Sequence, residues 1–178
     1  PLGYAAKIRA KIETLLESHY RENFERWLET ERIVCKPYFR LRPSIHPATY
    51  TDIYARSLYA AEDGDMNKLE QKLIVELTAL PNVRWWHRNI ARQDFAINGF
   101  IKHYPDILIM TKSGKLICAE TKGEHLKNDD SREKITLGQA WRTAAGKDFR
   151  YYMVFENEEN LLPGAVSMSQ FIDTVKAL

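Results

Sequence analysis

Asp106, Glu120 and Lys122 bracket a stretch that is otherwise largely Ile, Leu, Met and Cys, with Lys112-Ser113-Gly114 at its middle. If those three residues form the loop of a β-hairpin, Thr111 faces Lys115, and Asp106 falls directly opposite Glu120. Opposed residues of an antiparallel pair share a sheet face with Cβ atoms about 5 Å apart. Lys122 shares that face by the two-residue period of a strand. A two-residue loop would set Asp106 against Thr121 and separate the acids. Gly114 favours the longer loop, whose last position needs a left-handed residue. Two carboxylates that close repel unless a cation lies between them. Their hard oxygens suit Mg²⁺, with Mn²⁺ as a substitute. An adjacent lysine can hold or deprotonate a water, or offset charge building on a phosphorane. Phosphodiester hydrolysis needs this set of parts.

A third acid comes from the preceding segment. On a helical wheel Met66, Leu69, Leu73, Leu77 and Leu80 form the buried stripe, and Glu70 falls within it beside Ile74, whereas Glu76 lies at its margin. A carboxylate in a core stripe is costly unless paired or bound to metal. Glu70 is thus a candidate metal ligand, the alternative being an ordinary salt-bridged helix acid. Lys122 is its expected partner when no metal is present.

The elements that must hold these groups are legible in part. Apolar residues repeat at helical spacing from Ile8 to about Ile33, giving a long amphipathic helix with charges on its other side. Val34 to Tyr50, with Pro37, Pro43 and Pro47, reads as an extended connector, and Tyr50 to Ala61 as a short helix. Glu62-Asp63-Gly64-Asp65 breaks that helix and offers an N-cap to the next, Met66 to Leu80. Val83 to Asn89, Phe95 to His103, Asp106 to Thr111 and Leu116 to Thr121 read as strands. Asp130 and Glu133 resemble a capping box opening a helix that Gly146 ends. Phe149 to Phe155 is apolar on both faces, hence a central strand, and Ser167 to Ala177 is a last helix. The fold expected is α/β, a mixed sheet flanked by helices. Residues 1–50 form a helical extension and connector, and 51–178 the domain that carries the site.

The chain has 178 residues, 44% hydrophobic and 28% charged, an ordinary globular balance. Its net charge is +2, from 26 basic and 24 acidic residues, so any basic footprint for nucleic acid must be local. Cys35 and Cys118 fit no metal-ligand spacing, and Cys118 reads as a buried small hydrophobe. Cysteine usage and the lack of a signal peptide or an apolar run of about 20 residues point to a cytoplasmic protein without a membrane segment. The opening Pro1-Leu2-Gly3 lacks an initiator methionine and reads as the start of a cloned fragment.

Tyr104-Pro105-Asp106, followed fourteen residues on by Glu120-Thr121-Lys122, resembles the PD-(D/E)xK nuclease motif. The strings MNKLEQKL, VRWWHRNI, GFIKHYPDILIMTKSGKLICAETKGEHLKNDD and LGQAWRTAAGKDFRYYMVFE are similar to the C-terminal nuclease domain of the Res subunit of type III restriction enzymes, and of related DEAD/DEAH-box helicases. The likeness covers about Thr51 to Glu156. It implies a restriction-endonuclease-like core and Mg²⁺-dependent cleavage of double-stranded DNA. It also implies an upstream helicase or translocase in the same polypeptide, with a methyltransferase (modification) subunit as a possible partner. By position it makes Glu70, Asp106, Glu120 and the Thr121 backbone carbonyl metal ligands, and Lys122 the catalytic lysine. Gln139, on the following helix, takes the place of a polar active-site residue; the plain alternative is a surface amide. Arg84, Arg88, Arg92, Lys102 and, on the loop after the motif, Lys127 are candidate phosphate contacts, although a half-buried strand gives Val83 to Asn89 the same alternation. Two other functions remain open: a catalytically silent module with this fold, and a structure-specific DNA resolvase.

Overall fold

The computed structural model describes residues 3–178, apart from the side chain of Glu17; Pro1 and Leu2, where a fragment's start was read, lie outside them. Helix α1 spans Tyr4–Glu29 and ends earlier than its apolar pattern, at a Thr30 cap followed by Glu31 with φ +54°. The proline-containing connector forms no regular element before β1 (Tyr50–Thr51), which pairs antiparallel with β2 (Glu62–Asp63).

The helix expected over Tyr50 to Ala61 does not form. The Leu58 N–H donates to the Trp86 carbonyl, the Trp86 N–H to Arg56 and the Trp86 indole to Ala55. Tertiary bonds to the neighbouring strand β3 (Val83–Arg88) thus take the donors and acceptors a helix would use. Helix α2 (Lys68–Ala79) starts at Asn67, whose side chain makes a reciprocal capping box with Glu70. The acidic run before it does not cap the helix, because Glu62 and Asp63 are already spent in β2.

Phe95 to His103 is not one strand either. Asn98-Gly99 turns the chain, and β4 (Ile97–Asn98) pairs with β5 (Lys102–His103) as a separate two-stranded ribbon. Then come β6 (Ile107–Thr111), β7 (Leu116–Lys122), a 3-10 turn over Glu124–Leu126 and α3 (Asp129–Ala145). The cap of α3 is Asn128, which accepts from the Ser131 N–H; Asp130 lies inside the first turn, and Glu133 reaches across to Arg21. β8 (Phe149–Phe155) is followed by a strand the sequence did not announce, β9 (Val166–Ser167), and by α4 (Met168–Lys176), capped by Ser167 and Gln170.

The main sheet has the order β3-β6-β7-β8-β9. β6 runs antiparallel to both β3 and β7, while β7, β8 and β9 run parallel. The fold is α/β, a mixed five-stranded sheet flanked by helices, and β8 is paired on both sides. Along β6 and β7, Ile107, Ile109, Ile117 and Ala119 pack with α2 and α4, whereas Leu108 and Cys118 pack with α3. Helix α3 lies close on the sheet because Gly138 rests on the Tyr151 ring, where an added Cβ would overlap it. The β6–β7 hairpin has the three-residue loop, with Gly114 at φ +84° and pairs from Met110↔Leu116 to Ile107↔Ala119. Among the described residues no helix is long and apolar enough to cross a membrane.

Candidate active site

One step beyond the pair Ile107↔Ala119 puts Asp106 opposite Glu120, just before β6 begins and where β7 continues to Lys122. The Asp106 carboxylate makes the next link itself. Its Oδ2 accepts from the Thr121 N–H at 2.7 Å and from the Thr121 hydroxyl at 3.0 Å. The Asp106 carbonyl accepts from the Asn89 N–H and from Arg88. Backbone and side chain of Asp106 are thus fixed between β3 and β7.

Glu120 is buried on the face that meets α3. Lys122 Nζ lies 2.7 Å from its Oε1, and Lys134 Nζ, reaching in from α3, lies 4.0 Å from the same oxygen and 2.7 Å from Asp130. On the other side His103 Nε2 stands 4.0 Å from Glu120 Oε2 and 2.9 Å from the Tyr151 hydroxyl. Glu120 Oε2 is buried with no hydrogen-bond partner. Burial, reinforced by the Asp106 charge, pushes the Glu120 carboxyl up to about 8. Burial opposes the charge on Lys122, but Glu120 outweighs it and raises the ammonium above its usual range. Burial and the two lysines hold His103 down at about 3, so its ring is neutral.

Glu70 is buried and Glu76 exposed, as the helical wheel expects. Its cationic partner is not Lys122 but Arg88, whose guanidinium lies 3.3 Å from Glu70 Oε1 and 3.8 Å from Asp106 Oδ1. Strand parity explains this. Arg88 follows Trp86 onto the α2 side of the sheet, whereas Lys122 follows Glu120 onto the α3 side. Burial raises Glu70 to about 7 against the pull of Arg88, and Asp106 adds to that rise. Asp106 therefore stands electrostatically between Glu70 and Glu120.

Asp106 and Glu120 fit a hard divalent cation: one is anchored through a single oxygen, and the other keeps a buried oxygen without a donor. A cation between them would satisfy that oxygen and relieve the repulsion that raises Glu120. Among the described residues no three His, Cys, Asp or Glu side chains converge as a ready ligand set, since Glu70 is occupied by its capping box and Arg88.

The other candidates scatter. Gln139 lines a groove with Leu28, Val34 and Cys35, away from the acids; the α3 residue that faces them is Lys134, five positions earlier and on another side of the helix. Arg84, Arg92 and Lys102 are exposed, Lys102 lying over the Tyr104 ring. Arg88 is committed to the acids, and Lys127 to Glu124 and the Glu159 carbonyl. Sequence reasoning does not bring Lys134, His103 or Tyr151 to Glu120: it offers His103 and the Glu124 to Lys134 run only as candidate DNA contacts, and Tyr151 not at all. Lys134 had a usable signal, lying on the helical face of Ser131, Ile135 and Gly138, whereas the meeting of His103 with Tyr151 depends on a ribbon that sequence did not resolve. Comparison with protein-family models, with curated proteins and with solved structures finds no match for this chain.

Proposed function

We propose that this chain is a Mg²⁺-dependent endodeoxyribonuclease module of the PD-(D/E)xK type, built on a restriction-endonuclease-like core of α2, the β3-β6-β7 antiparallel strands, α3 and parallel β8. The observation that carries the reading is the β6–β7 register, which one step past Ile107↔Ala119 sets Asp106 opposite Glu120, with Lys122 Nζ 2.7 Å from Glu120 and a buried Glu120 oxygen left without a donor. Asp106 and Glu120, with the Thr121 carbonyl, are the groups that would hold Mg²⁺, which would supply Lewis acidity toward a phosphoryl oxygen. Lys122 holds the attacking water and offsets charge on the phosphorane. Lys134 adds a second positive charge from α3. Arg88 fixes Asp106 and Glu70 relative to each other. Arg84, Arg92 and Lys102 are the exposed bases available to the DNA backbone. The sequence resemblance adds the biological setting: a cytoplasmic cleavage module joined to a DNA helicase, acting with or without a methyltransferase subunit.

Two measurements test this. Mn²⁺ titration by calorimetry should show binding to the wild-type chain that Asp106→Ala and Glu120→Gln each abolish. Plasmid cleavage in Mg²⁺ should fall about 10²- to 10³-fold in Lys122→Ala, the usual loss when one transition-state charge partner is removed. Unchanged binding and cleavage in these variants would sink the assignment.

A further inference from the structure

Helix α1 has 26 residues, about 39 Å of length, and among the described residues its packing on the rest of the molecule is concentrated in its C-terminal half. Phe24 packs edge-on against Phe100 at 5.7 Å between centroids, and Arg21 bonds Glu133. Ahead of that contact Ile8, Ile12, Leu15, Leu16 and Tyr20 are each 46% to 58% exposed. At 100° per residue they cover an arc of about 140° that leads up to Phe24 but lies clear of the side packed on the body. A helix this exposed gains little tertiary support for its first four turns.

Charge along α1 is segregated. Residues 4–12 carry three bases, Lys7, Arg9 and Lys11, and no acid; residues 13–29 carry five acids and two bases. The halves therefore sum to +3 and, as two minus five, to −3. Lys7, Lys11, Glu22 and Glu25 also fall on one flank of the apolar arc. A second α1 laid antiparallel sets the basic half of each helix against the acidic half of the other and opposes the helix dipoles favourably. A parallel copy would set like charge against like.

We propose that α1 pairs with α1 of a second copy of this chain, antiparallel about a two-fold axis, with Ile8, Ile12, Leu15, Leu16 and Tyr20 as the buried seam and Lys7 and Lys11 facing Glu22 and Glu25. Such an interface is isologous, so each residue pair occurs twice. The pairing goes beyond the nuclease assignment and stands apart from it, because none of these residues belongs to the acid cluster.

Sedimentation velocity over a concentration series provides the test. The wild-type chain should sediment as a dimer, and Ile12→Asp as a monomer with an unchanged melting transition. The double variants Lys7→Glu/Lys11→Glu and Glu22→Lys/Glu25→Lys should each weaken dimerisation at least about tenfold, because attractive pairs become repulsive on both sides of the axis. An equimolar mixture of the two should regain the dimer, since each then offers the charge the other lacks. A wild-type chain that stays monomeric throughout, as it would if α1 served only a different polypeptide, overturns the proposal. A dimer indifferent to Ile12→Asp and to both reversals overturns it equally.

Discussion

Two lysines reach Glu120 from different elements, and their distances set an order of importance. Lys122 Nζ is 2.7 Å from the carboxylate, whereas Lys134 Nζ is 4.0 Å away and shares its charge with Asp130. Lys134→Ala should therefore slow single-turnover DNA cleavage by about tenfold, less than the loss from Lys122→Ala. Gln139→Ala, on the groove beside α1, should cut at the wild-type rate. Equal rates for the wild type and Lys134→Ala would leave Lys134 a salt-bridge residue only. Protonation gives a second handle. With burial and Asp106 holding Glu120 at about 8, the metal-free carboxyl is mostly protonated at pH 7, and a cation must displace that proton. Mn²⁺ affinity should rise with pH and level off above about 8, with proton release visible as a buffer-dependent heat; pH-independent binding would contradict it. The acid pair and Lys122 were legible in the sequence because strand parity is arithmetic once the loop length is known. Lys134 shares the helical face of Ser131, Ile135 and Gly138, a signal that points it at the sheet, but its meeting with Glu120 depends on Gly138 seating on Tyr151, which the sequence does not record.

Gly138 is also where one element fixes another. The close approach of α3 to β8 depends on a side chain's absence, and it carries Lys134 to Glu120 and leaves Tyr151 in contact with His103. Gly138→Ala should destabilise the protein by about 1–3 kcal/mol as the added methyl displaces the Tyr151 ring. In a Tyr151→Val background the same change should cost less, a coupling that urea unfolding of the four-member cycle would read. Additive costs would show that the ring is not the obstacle. The elements that sequence got right, α1, α2, β3, β6, β7, α3, β8 and α4, have strong periods of their own. Those it got wrong, Tyr50 to Ala61 and Phe95 to His103, take their shape from bonds to distant strands: Leu58 and Arg56 to Trp86, and the Asn89 side chain to the Phe95 and Pro105 carbonyls. Nothing local in those segments records such partners. The register of the β6–β7 hairpin was readable because its turn glycine fixes it; β9 was too short to leave a pattern.

Across the molecule, the connector between α1 and α2 is tied down by a buried polar cluster as well as by apolar contacts such as Tyr54 on Trp86 and Phe39 on Phe95. His87 of β3 lies between Glu62, 2.7 Å from Nδ1, and Asp94, 3.3 Å from Nε2, and Arg42 of the connector closes on Asp94 at 2.8 Å. Tyr59 stacks edge-on over the His87 ring and donates its hydroxyl to the Arg42 carbonyl. Burial works against charge on His87, but the bonds to Asp94 and Glu62 outweigh it and raise the imidazole above its ordinary 6.5. The folded state therefore holds the proton more tightly than the unfolded chain does. That contribution to stability is complete below pH 6.5 and is lost as pH rises through the folded-state value. Glu70 and Glu120, raised to about 7 and 8, lose stability in the same direction and overlapping window, whereas His103, held near 3 in the fold and at 6.5 when unfolded, works the other way up to about 6.5 in both the wild type and the variant. The part due to His87 is thus the difference between two slopes. Urea unfolding of the metal-free chain between pH 6 and 9 should show stability falling with pH in the wild type. His87→Gln should be less stable at pH 6, because Glu62 and Asp94 lose their shared cation, and should fall less steeply above 6.5. Parallel wild-type and variant curves would mean that His87 is neutral in the fold and that the connector is held by Arg42 and Tyr59 without it.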